Sequence, residues 1–240
     1  MAEQATTDCH ASTHLRVAVL VSGHGSNLQA LIDARDKGLP VDLVGVFSDR
    51  ANAPALKRAG KAGIAAMCLR VAEFGDEATY QRALFATVAA SRPQLVVCAG
   101  FMRIIGEAAL ASSVPMINIH PSLLPKYRGL DTYRRTLEAG DKVHGASVHR
   151  VTKDLDGGPL IAQVRIPIAR GDDAVSLARR LLPLEHRLLV ACVRAIAHGD
   201  VAFASDGGVL YRGATLDRPL QLATTHHDAL QKVQKGDVGD

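Results

Sequence analysis

Apolar runs of strand length alternate with segments of helical spacing through the first half of this chain. RVAVLVSG, residues 16–23, is apolar up to its closing glycine, which is typical of a strand buried on both faces. Leu28, Leu31 and Ile32 then recur at helical spacing before Gly38 ends the segment. Strands and helices that alternate in this way predict an open, mostly parallel twisted sheet flanked by helices.

The predicted elements continue along the whole of the central region. The strands are 16–23, 41–49, 64–70, 95–100 and 116–120, and the helices are 26–37, 53–63, 76–91 and 105–112. HGASVHRV (144–151) and PLIAQVRIPI (159–168) flank TKDLDGG, which favours an antiparallel hairpin. A long helix over 173–198 follows, and we expect Pro183 to kink it. The expected fold is α/β and Rossmann-like, with an antiparallel C-terminal extension of the sheet.

Composition limits the classes of protein that fit. The 240 residues are 48% apolar and 22% charged, with a net charge of +4 and no dense Lys/Arg stripe for nucleic acid. No apolar run approaches the roughly 18 residues of a membrane span, and the first residues lack a signal-peptide pattern. The cysteines form no CxxC pair, which favours reduced thiols. We expect a cytoplasmic protein with a flexible N-terminal extension (1–14), a single domain (15–213) and a polar C-terminal tail (214–240).

The glycine loop VSGHGSN, residues 21–27, joins the first strand to the first helix. Backbone N–H groups and the helix dipole at such a junction favour an anion, and Ser26 is predicted to act as N-cap and phosphate donor. A dinucleotide fingerprint needs a third glycine where Leu28 stands, and the P-loop Gly-Lys-Ser/Thr is also absent. The loop therefore predicts a binding site for one phosphate of a small substrate. The alternative that stays open is a purely structural role, in which the loop is a tight turn with a good helix cap.

The stretch INIHPSLLPKYRG, residues 117–129, combines an amide and an imidazole with two prolines. On a strand, Asn118 and His120 share a face, and the carboxyl ends of parallel strands are where open α/β sheets bind ligands. Asn118 offers an uncharged donor for a developing oxyanion, and His120 offers a proton near neutral pH. The alternative that stays open is a structural role for both residues. In that case Asn118 caps the end of the strand, and His120 is a half-buried histidine whose hydrogen bonds are satisfied.

Asp156 precedes Gly157-Gly158 in the predicted hairpin turn. It is either a solvated turn residue or a carboxylate that tunes a nearby acid. No metal is expected, because the sequence lacks the DxDxDG spacing and twelfth-position glutamate of a calcium loop. The lack of a Ser/Cys nucleophile with a partner base favours direct transfer to an amine over a covalent enzyme intermediate. The residues by themselves do not identify the group transferred.

Together these segments resemble the glycinamide ribonucleotide formyltransferases of the formyltransferase superfamily. The resemblance rests on VSGHGSN, AGFMRI, NIHPSLLPKYRG, HGASVHRVTKDLDGGPLIAQ and Glu185-His186, in order from about residue 16 to residue 213. It implies transfer of the formyl group of 10-formyltetrahydrofolate, a co-substrate, to the amine of glycinamide ribonucleotide in de novo purine biosynthesis. It also implies small-molecule substrates, no nucleic acid or membrane, and a monomer or homodimer.

The resemblance assigns roles to individual residues. Asn118 holds the oxyanion, His120 protonates the departing N10, and Asp156 raises the pKa of His120 or orders a water that relays protons. Ser147 and His149 match a supporting shell around these three residues. Residues 15–115 form the ribonucleotide phosphate-binding half, and 116–213 form the catalytic and folate-binding half.

Binding residues follow from the same resemblance. Those matched to glycinamide ribonucleotide are Gly25, Ser26, Asn27, Leu28, Gln29 and Glu185, and those matched to the folate pocket are Met102, Arg103, Ile104, Ile105 and Asn118. Residues 153–158 match the loop that carries the pterin ring. Glu77 stands where some relatives carry an arginine for the folate carboxylates, which leaves open whether Arg70 or Arg82 substitutes or the glutamate tail is held differently.

Four rival functions remain open at this point. Formyltetrahydrofolate deformylase uses a similar Asn-His-Asp set with water as the acceptor, but it usually carries an added N-terminal domain. Methionyl-tRNA formyltransferase has an added C-terminal domain. A nucleotide-binding oxidoreductase with Asp49 as ribose ligand lacks its third glycine here. A non-catalytic binding module is the fourth, because fold does not fix function.

Overall fold

The structure, a computed structural model, describes residues 14–110, 114–223 and 229–232. Its first half contains β1 (Leu15–Val21), α1 (Ser26–Asp36), β2 (Val41–Ser48), α2 (Pro54–Lys61), β3 (Ala66–Cys68), α3 (Glu77–Ala90), β4 (Leu95–Cys98), α4 (Glu107–Leu110) and β5 (Met116–His120). Its second half contains α5 (Thr132–Glu138), β6 (Val143–Arg150), β7 (Leu160–Pro167), α6 (Ala174–Ala197), β8 (Val201–Phe203), β9 (Val209–Tyr211), β10 (Ala214–Thr215), β11 (Leu220–Leu222) and β12 (Leu230–Gln231).

The main sheet has the strand order β12-β11-β7-β6-β5-β4-β1-β2-β3 over the described residues. The strands from β5 through β4, β1 and β2 to β3 run parallel, whereas β6 is antiparallel to both β5 and β7. Strands β8, β9 and β10 form a separate small antiparallel sheet. The expected fold class, a mostly parallel sheet with an antiparallel extension, is confirmed.

Strand β1 explains why the sheet is covered on both faces. Val17, Val19 and Val21 point into a core shared with helices α1 and α6, whereas Ala18 and Leu20 point into a second core under α3. These five side chains are fully buried, as expected for a central parallel strand. Burying each large aliphatic side chain stabilises the fold by roughly 1.5–3 kcal/mol.

Several elements differ from the sequence predictions. Helix α5 and the small sheet were not predicted, because α5 has only seven residues and β8–β10 have two or three each. The region 214–240, expected to be a polar tail, contains β10, β11 and β12, and Leu220 is fully buried. Residues 1–13 of the expected N-terminal extension, together with 111–113, 224–228 and 233–240, lie outside the described residues.

Two further observations concern the helices. Pro183 lies inside α6, which continues beyond it to Ala197, so the helix tolerates the missing N–H of the proline. Within the described ranges, no helix combines the length and the apolar character needed to span a membrane.

His144 on β6 makes the stability of the fold sensitive to acid. The ring is 1% exposed, packs 5.1 Å from Tyr133 and has Nδ1 3.1 Å from the Thr136 hydroxyl. Burial lowers the pKa of His144 to about 4. Between that value and the unfolded pKa of about 6.5, the unfolded chain binds more protons than the folded one. The free energy of unfolding is therefore expected to fall, by up to about 3 kcal/mol from this residue, as the pH drops through that window.

Urea unfolding of the wild-type chain and His144→Gln between about pH 7 and pH 4 measures this effect. We expect a shallower loss of stability with falling pH in His144→Gln, whatever its stability at neutral pH. His198→Gln, at an exposed position just beyond α6, is the matched control and should keep the wild-type slope. Equal slopes for wild type and His144→Gln would contradict the assignment.

Candidate active site

Asn118, His120 and Asp156 come together at the carboxyl edge of the sheet. Asn118 and His120 lie at the end of β5, and Asp156 lies in the β6–β7 connection with a left-handed φ of 48°. The Asp156 carboxylate is 3.4 Å from the Asn118 amide nitrogen and 3.5 Å from Nδ1 of His120. The two segments that carry these residues are distant in sequence but adjacent in space.

The imidazole of His120 is held between two hydrogen-bond acceptors. Nε2 lies 2.9 Å from the carbonyl oxygen of Tyr127, which can only accept, so this nitrogen carries a proton. Nδ1 faces the Asp156 carboxylate. An imidazole that faces an acceptor with each nitrogen is best satisfied when both nitrogens are protonated, which is the form that can donate a proton.

Burial opposes that protonation. The ring is 6% exposed, and burial lowers the pKa of His120 below its ordinary value, although the Tyr127 carbonyl and the Asp156 charge pull it upward. The charge of Asp156 thus acts to raise the pKa of His120, but burial outweighs it and the net shift is downward. The catalytic role predicted for Asp156 stays a prediction.

Asp156 is itself held in its ionised form. Burial alone would raise the pKa of Asp156, but hydrogen bonds from His149 and from the Gly129 amide lower it below the ordinary value. The Gly129 N–H donates to Oδ2 over 2.9 Å, and His149 Nε2 lies 3.5 Å from Oδ1. A carboxylate is thus fixed beside the imidazole.

The amide of Asn118 is already engaged by protein groups. Its Nδ2 lies 3.2 Å from Nε2 of His149 and 3.4 Å from Asp156. His149 Nδ1 is 2.8 Å from the Arg150 carbonyl and therefore carries a proton, and its Nε2 lies near both the Asn118 amide and the Asp156 carboxylate. A substrate oxyanion that binds the Asn118 amide has to replace one of the present contacts of that amide.

A buried polar cluster anchors the loop that follows His120. The Ser147 hydroxyl donates to the Ser122 carbonyl over 2.7 Å and accepts from the Leu124 amide and from Gln163. Gln163 also donates to the Leu124 carbonyl over 2.9 Å. Both Ser147 and Gln163 are buried. This cluster fixes the loop whose backbone supplies the Tyr127 carbonyl and the Gly129 amide.

A cleft opens beside these side chains, and Asn118 and Asp156 form part of its lining. It is lined by Cys98, Phe101, Arg103, Ile104, Ile105, Asn118, His149 and residues 151–156. Ile104 and Leu155 are 66% and 54% exposed, so the cleft has apolar side chains open to a ligand. Met102 lies outside this lining and is 57% exposed, and its amide donates to the Ser22 hydroxyl over 2.9 Å. Four of the five predicted folate residues thus share one cleft.

The glycine loop differs in one detail from the prediction. Gly25, with a left-handed φ of 75°, is the N-cap of α1, and Ser26 is its first helical residue. The prediction of Ser26 as N-cap was wrong. A Cβ on Gly25 would lie 2.6 Å from that of Ala55, so only glycine fits. Leu28 is fully buried in the core, so only its backbone can face a ligand.

Arg58 on α2 holds the glycine loop in place. Its Nε donates to the His24 carbonyl over 3.0 Å and its Nη1 to the Gln29 side chain over 3.1 Å. No sequence pattern pointed to Arg58, because a lone arginine on a helix is usually a solvated surface residue.

Glu185 on α6 lies beside Asn27 of α1. Burial raises the pKa of Glu185, whereas hydrogen bonds from Tyr133 and Asn27 lower it. The Tyr133 hydroxyl donates to Oε1 over 2.8 Å. The structure therefore joins two of the predicted ribonucleotide residues, and Tyr133 is a partner that sequence reasoning missed.

Comparison with known proteins gives a consistent result. Residues 15–193 match the family model described as formyl transferase. The chain is 43% identical over 187 residues to phosphoribosylglycinamide formyltransferase of Escherichia coli K12, covering 77% of this chain and 88% of that protein. Against the Mycobacterium tuberculosis protein of the same name, identity is 38%, with 88% and 95% covered. The solved structure of phosphoribosylglycinamide formyltransferase from Coxiella burnetii superposes with a TM-score of 0.81 at 43% identity, covering 85% of this chain and 96% of that one.

Proposed function

The chain belongs to the formyl transferase family, and we propose that it transfers a formyl group from 10-formyltetrahydrofolate to the amine of glycinamide ribonucleotide. The observation that carries this proposal is the convergence of Asn118, His120 and Asp156 beside a partly apolar cleft. The formyl acceptor in this proposal is taken from the names of the two relatives, both called phosphoribosylglycinamide formyltransferase. We further propose a cytoplasmic enzyme, monomeric or homodimeric, that acts on free small molecules in purine biosynthesis.

The reaction needs one oxyanion donor and one acid. The substrate amine attacks the formyl carbon, and the carbonyl oxygen becomes an oxyanion that accepts a hydrogen bond from Asn118 in exchange for one of its present partners. The C–N10 bond then breaks as His120 donates a proton to N10, which leaves as tetrahydrofolate. The proton lost by the attacking amine passes to the Asp156–His120 pair, directly or through water, so the enzyme ends as it began.

Asp156 has two effects on that step. Its negative charge stabilises the imidazolium of His120 against burial, and its bond to the Gly129 amide fixes the loop that carries the Tyr127 carbonyl. The buried Ser147 and Gln163 side chains hold the same loop through hydrogen bonds to the carbonyl groups of Ser122 and Leu124. The acid is thereby oriented before substrate arrives, which lowers the entropic cost of reaching the transition state.

The ribonucleotide is assigned to the other end of the site. Gly25 is the N-cap of α1, and the first N–H groups of the helix, those of Ser26 and Asn27, have no acceptor within it, which favours a phosphate at this end of the helix. The buried carboxylate of Glu185 is suited to accept hydrogen bonds from sugar hydroxyls. The folate is assigned to the cleft lined by Arg103, Ile104, Ile105 and Asn118. Met102, which precedes Arg103 and lies outside this lining, stays a predicted folate contact.

Ser26→Asp tests the phosphate assignment. It places a carboxylate where the phosphate is proposed to bind, so the Kd for glycinamide ribonucleotide should rise about 10-fold or more because of charge repulsion. The Kd for a folate ligand should change less than about 2-fold. Calorimetric titration with each ligand measures both values. Ala86→Asp, which adds the same charge at an exposed position of α3, is the control. Equal losses for both ligands in Ser26→Asp would contradict the assignment.

The reaction itself is tested by following tetrahydrofolate release from 10-formyltetrahydrofolate. Release that requires glycinamide ribonucleotide supports the proposed transfer. Release of equal rate with water alone would instead identify a deformylase and overturn the proposal.

A further inference from the structure

Arg103, on the wall of the cleft, is held between two carboxylates. Its Nε lies 3.2 Å from Oδ2 of Asp49, which follows β2, and its Nη1 lies 3.0 Å from Oε2 of Glu77, the first residue of α3. The guanidinium also lies 5.5 Å from the centre of the Tyr80 ring. Arg103 lines the cleft, whereas its two partners, Asp49 and Glu77, do not.

The two carboxylates differ in exposure. The Asp49 side chain is 4% exposed, whereas the Glu77 side chain is 49% exposed. Asp49 is therefore a fixed partner, while the Glu77 pair lies in water, where ion pairs are weak and a competing anion can displace them. Arg50 lies at the outer limit of pairing, 4.0 Å from Asp49. The charges of Arg103, Arg50, Asp49 and Glu77 balance, so loss of Glu77 leaves this group of four side chains with one net positive charge.

Glu77 is nevertheless held in position. Gln81 donates to Oε1 of Glu77 over 3.2 Å and to the Ile104 carbonyl over 2.8 Å, and it accepts from the Gly106 amide. One carboxylate oxygen is thus fixed by Gln81 while the other faces Arg103. The same side chain of Gln81 connects Glu77 to the apolar wall of the cleft.

A folate carries carboxylates that can interact with the charges of Arg103 and Glu77. N10 has to lie near His120, and the benzoyl-glutamate portion extends from N10 with one carboxylate pair for the first glutamate and one more carboxylate for each added glutamate. We propose that Glu77 is a specificity-determining residue, which occupies Arg103 and disfavours folates that carry a poly-γ-glutamyl tail. This inference rests on the proposed function, because it assigns the cleft to a folate.

Replacement of Glu77 by glutamine tests the inference directly. The probes are tetrahydrofolate with one glutamyl residue and tetrahydrofolate with five, and the quantity measured is the ratio of their Kd values. We expect Glu77→Gln to lower the Kd for the pentaglutamate about 3- to 10-fold relative to that for the monoglutamate, since one opposing charge is removed and Arg103 is released. High salt should reduce this gain, because the interaction is electrostatic.

Glu138→Gln is the matched control. Glu138 is 60% exposed and pairs with Arg134, and neither residue lines the cleft, so removal of the Glu138 charge should leave the Kd ratio unchanged. An unchanged Kd ratio in Glu77→Gln would overturn the inference. So would an equal rise in the Kd of both ligands, which would indicate that the variant only disturbs the wall of the cleft. Because the Kd values are measured without turnover, this result is independent of the formyl-transfer assay. Failure of that assay contradicts the proposed function, whereas an unchanged ratio contradicts only the role of Glu77.

Discussion

Replacing His120 by alanine is expected to lower kcat about 10²–10⁴-fold, the range typical of a lost general acid. The Kd for each substrate should change little, because the ring faces Tyr127 and Asp156 rather than the phosphate loop or the apolar cleft wall. Departure of N10 without a proton would leave an unstable anion, so bond cleavage becomes the slow step. Single-turnover kinetics with both ligands at saturation measures this loss without a contribution from binding.

The effect of His120→Ala on the stability of the fold has to be distinguished from its effect on catalysis. His120 is buried, and its loss leaves the Tyr127 carbonyl without its donor, so some loss of stability is expected. Urea unfolding of His120→Ala shows whether the chain is folded at the assay temperature. His198→Ala, at an exposed position remote from the described bonds of the site, should retain wild-type turnover. A folded His120→Ala with near wild-type kcat would remove His120 from the mechanism.

The parallel half of the fold was predictable from sequence because its signal is local. Strands β1, β2 and β4 are mostly apolar and mostly buried, and the helices that follow them end near a glycine or a proline. The antiparallel hairpin of β6 and β7 followed from the Gly-Gly turn between two strand-like runs. Short elements such as α5 and β10 have too few residues to show a period, and tertiary packing decides their structure.

The chemistry of the site was predictable in part. Side chains with functional groups, such as Asn118 and His120, are visible in the sequence, and their shared face follows from strand geometry. The Tyr127 carbonyl and the Gly129 amide are not visible, because every residue carries such groups and only the loop conformation selects them. The net downward shift in the pKa of His120 depends on burial in three dimensions, which a charge-based argument from sequence omits.

Asp156→Asn is expected to lower kcat/KM about 10- to 10³-fold and to change its pH dependence. Asparagine is well suited to this position, since it tolerates the left-handed φ of 48° and its carbonyl oxygen can still accept from the Gly129 amide. The variant should therefore fold, and the effect should be electrostatic. The carboxylate that favours the imidazolium of His120 is removed, while the burial that opposes it remains.

The sign of the pH effect follows from the acid role of His120. The proton donor is lost as the pH rises through the pKa of His120, so that pKa sets the alkaline limb of the kcat/KM profile. Asp156 raises this pKa, so Asp156→Asn should lower it and move the alkaline limb toward acid, by about one pH unit or more. Asp154→Asn removes the same charge from an exposed position of the same loop and should leave the limb near its wild-type place. An alkaline limb that stays in place or moves to higher pH in Asp156→Asn would show that the carboxylate does not act through His120.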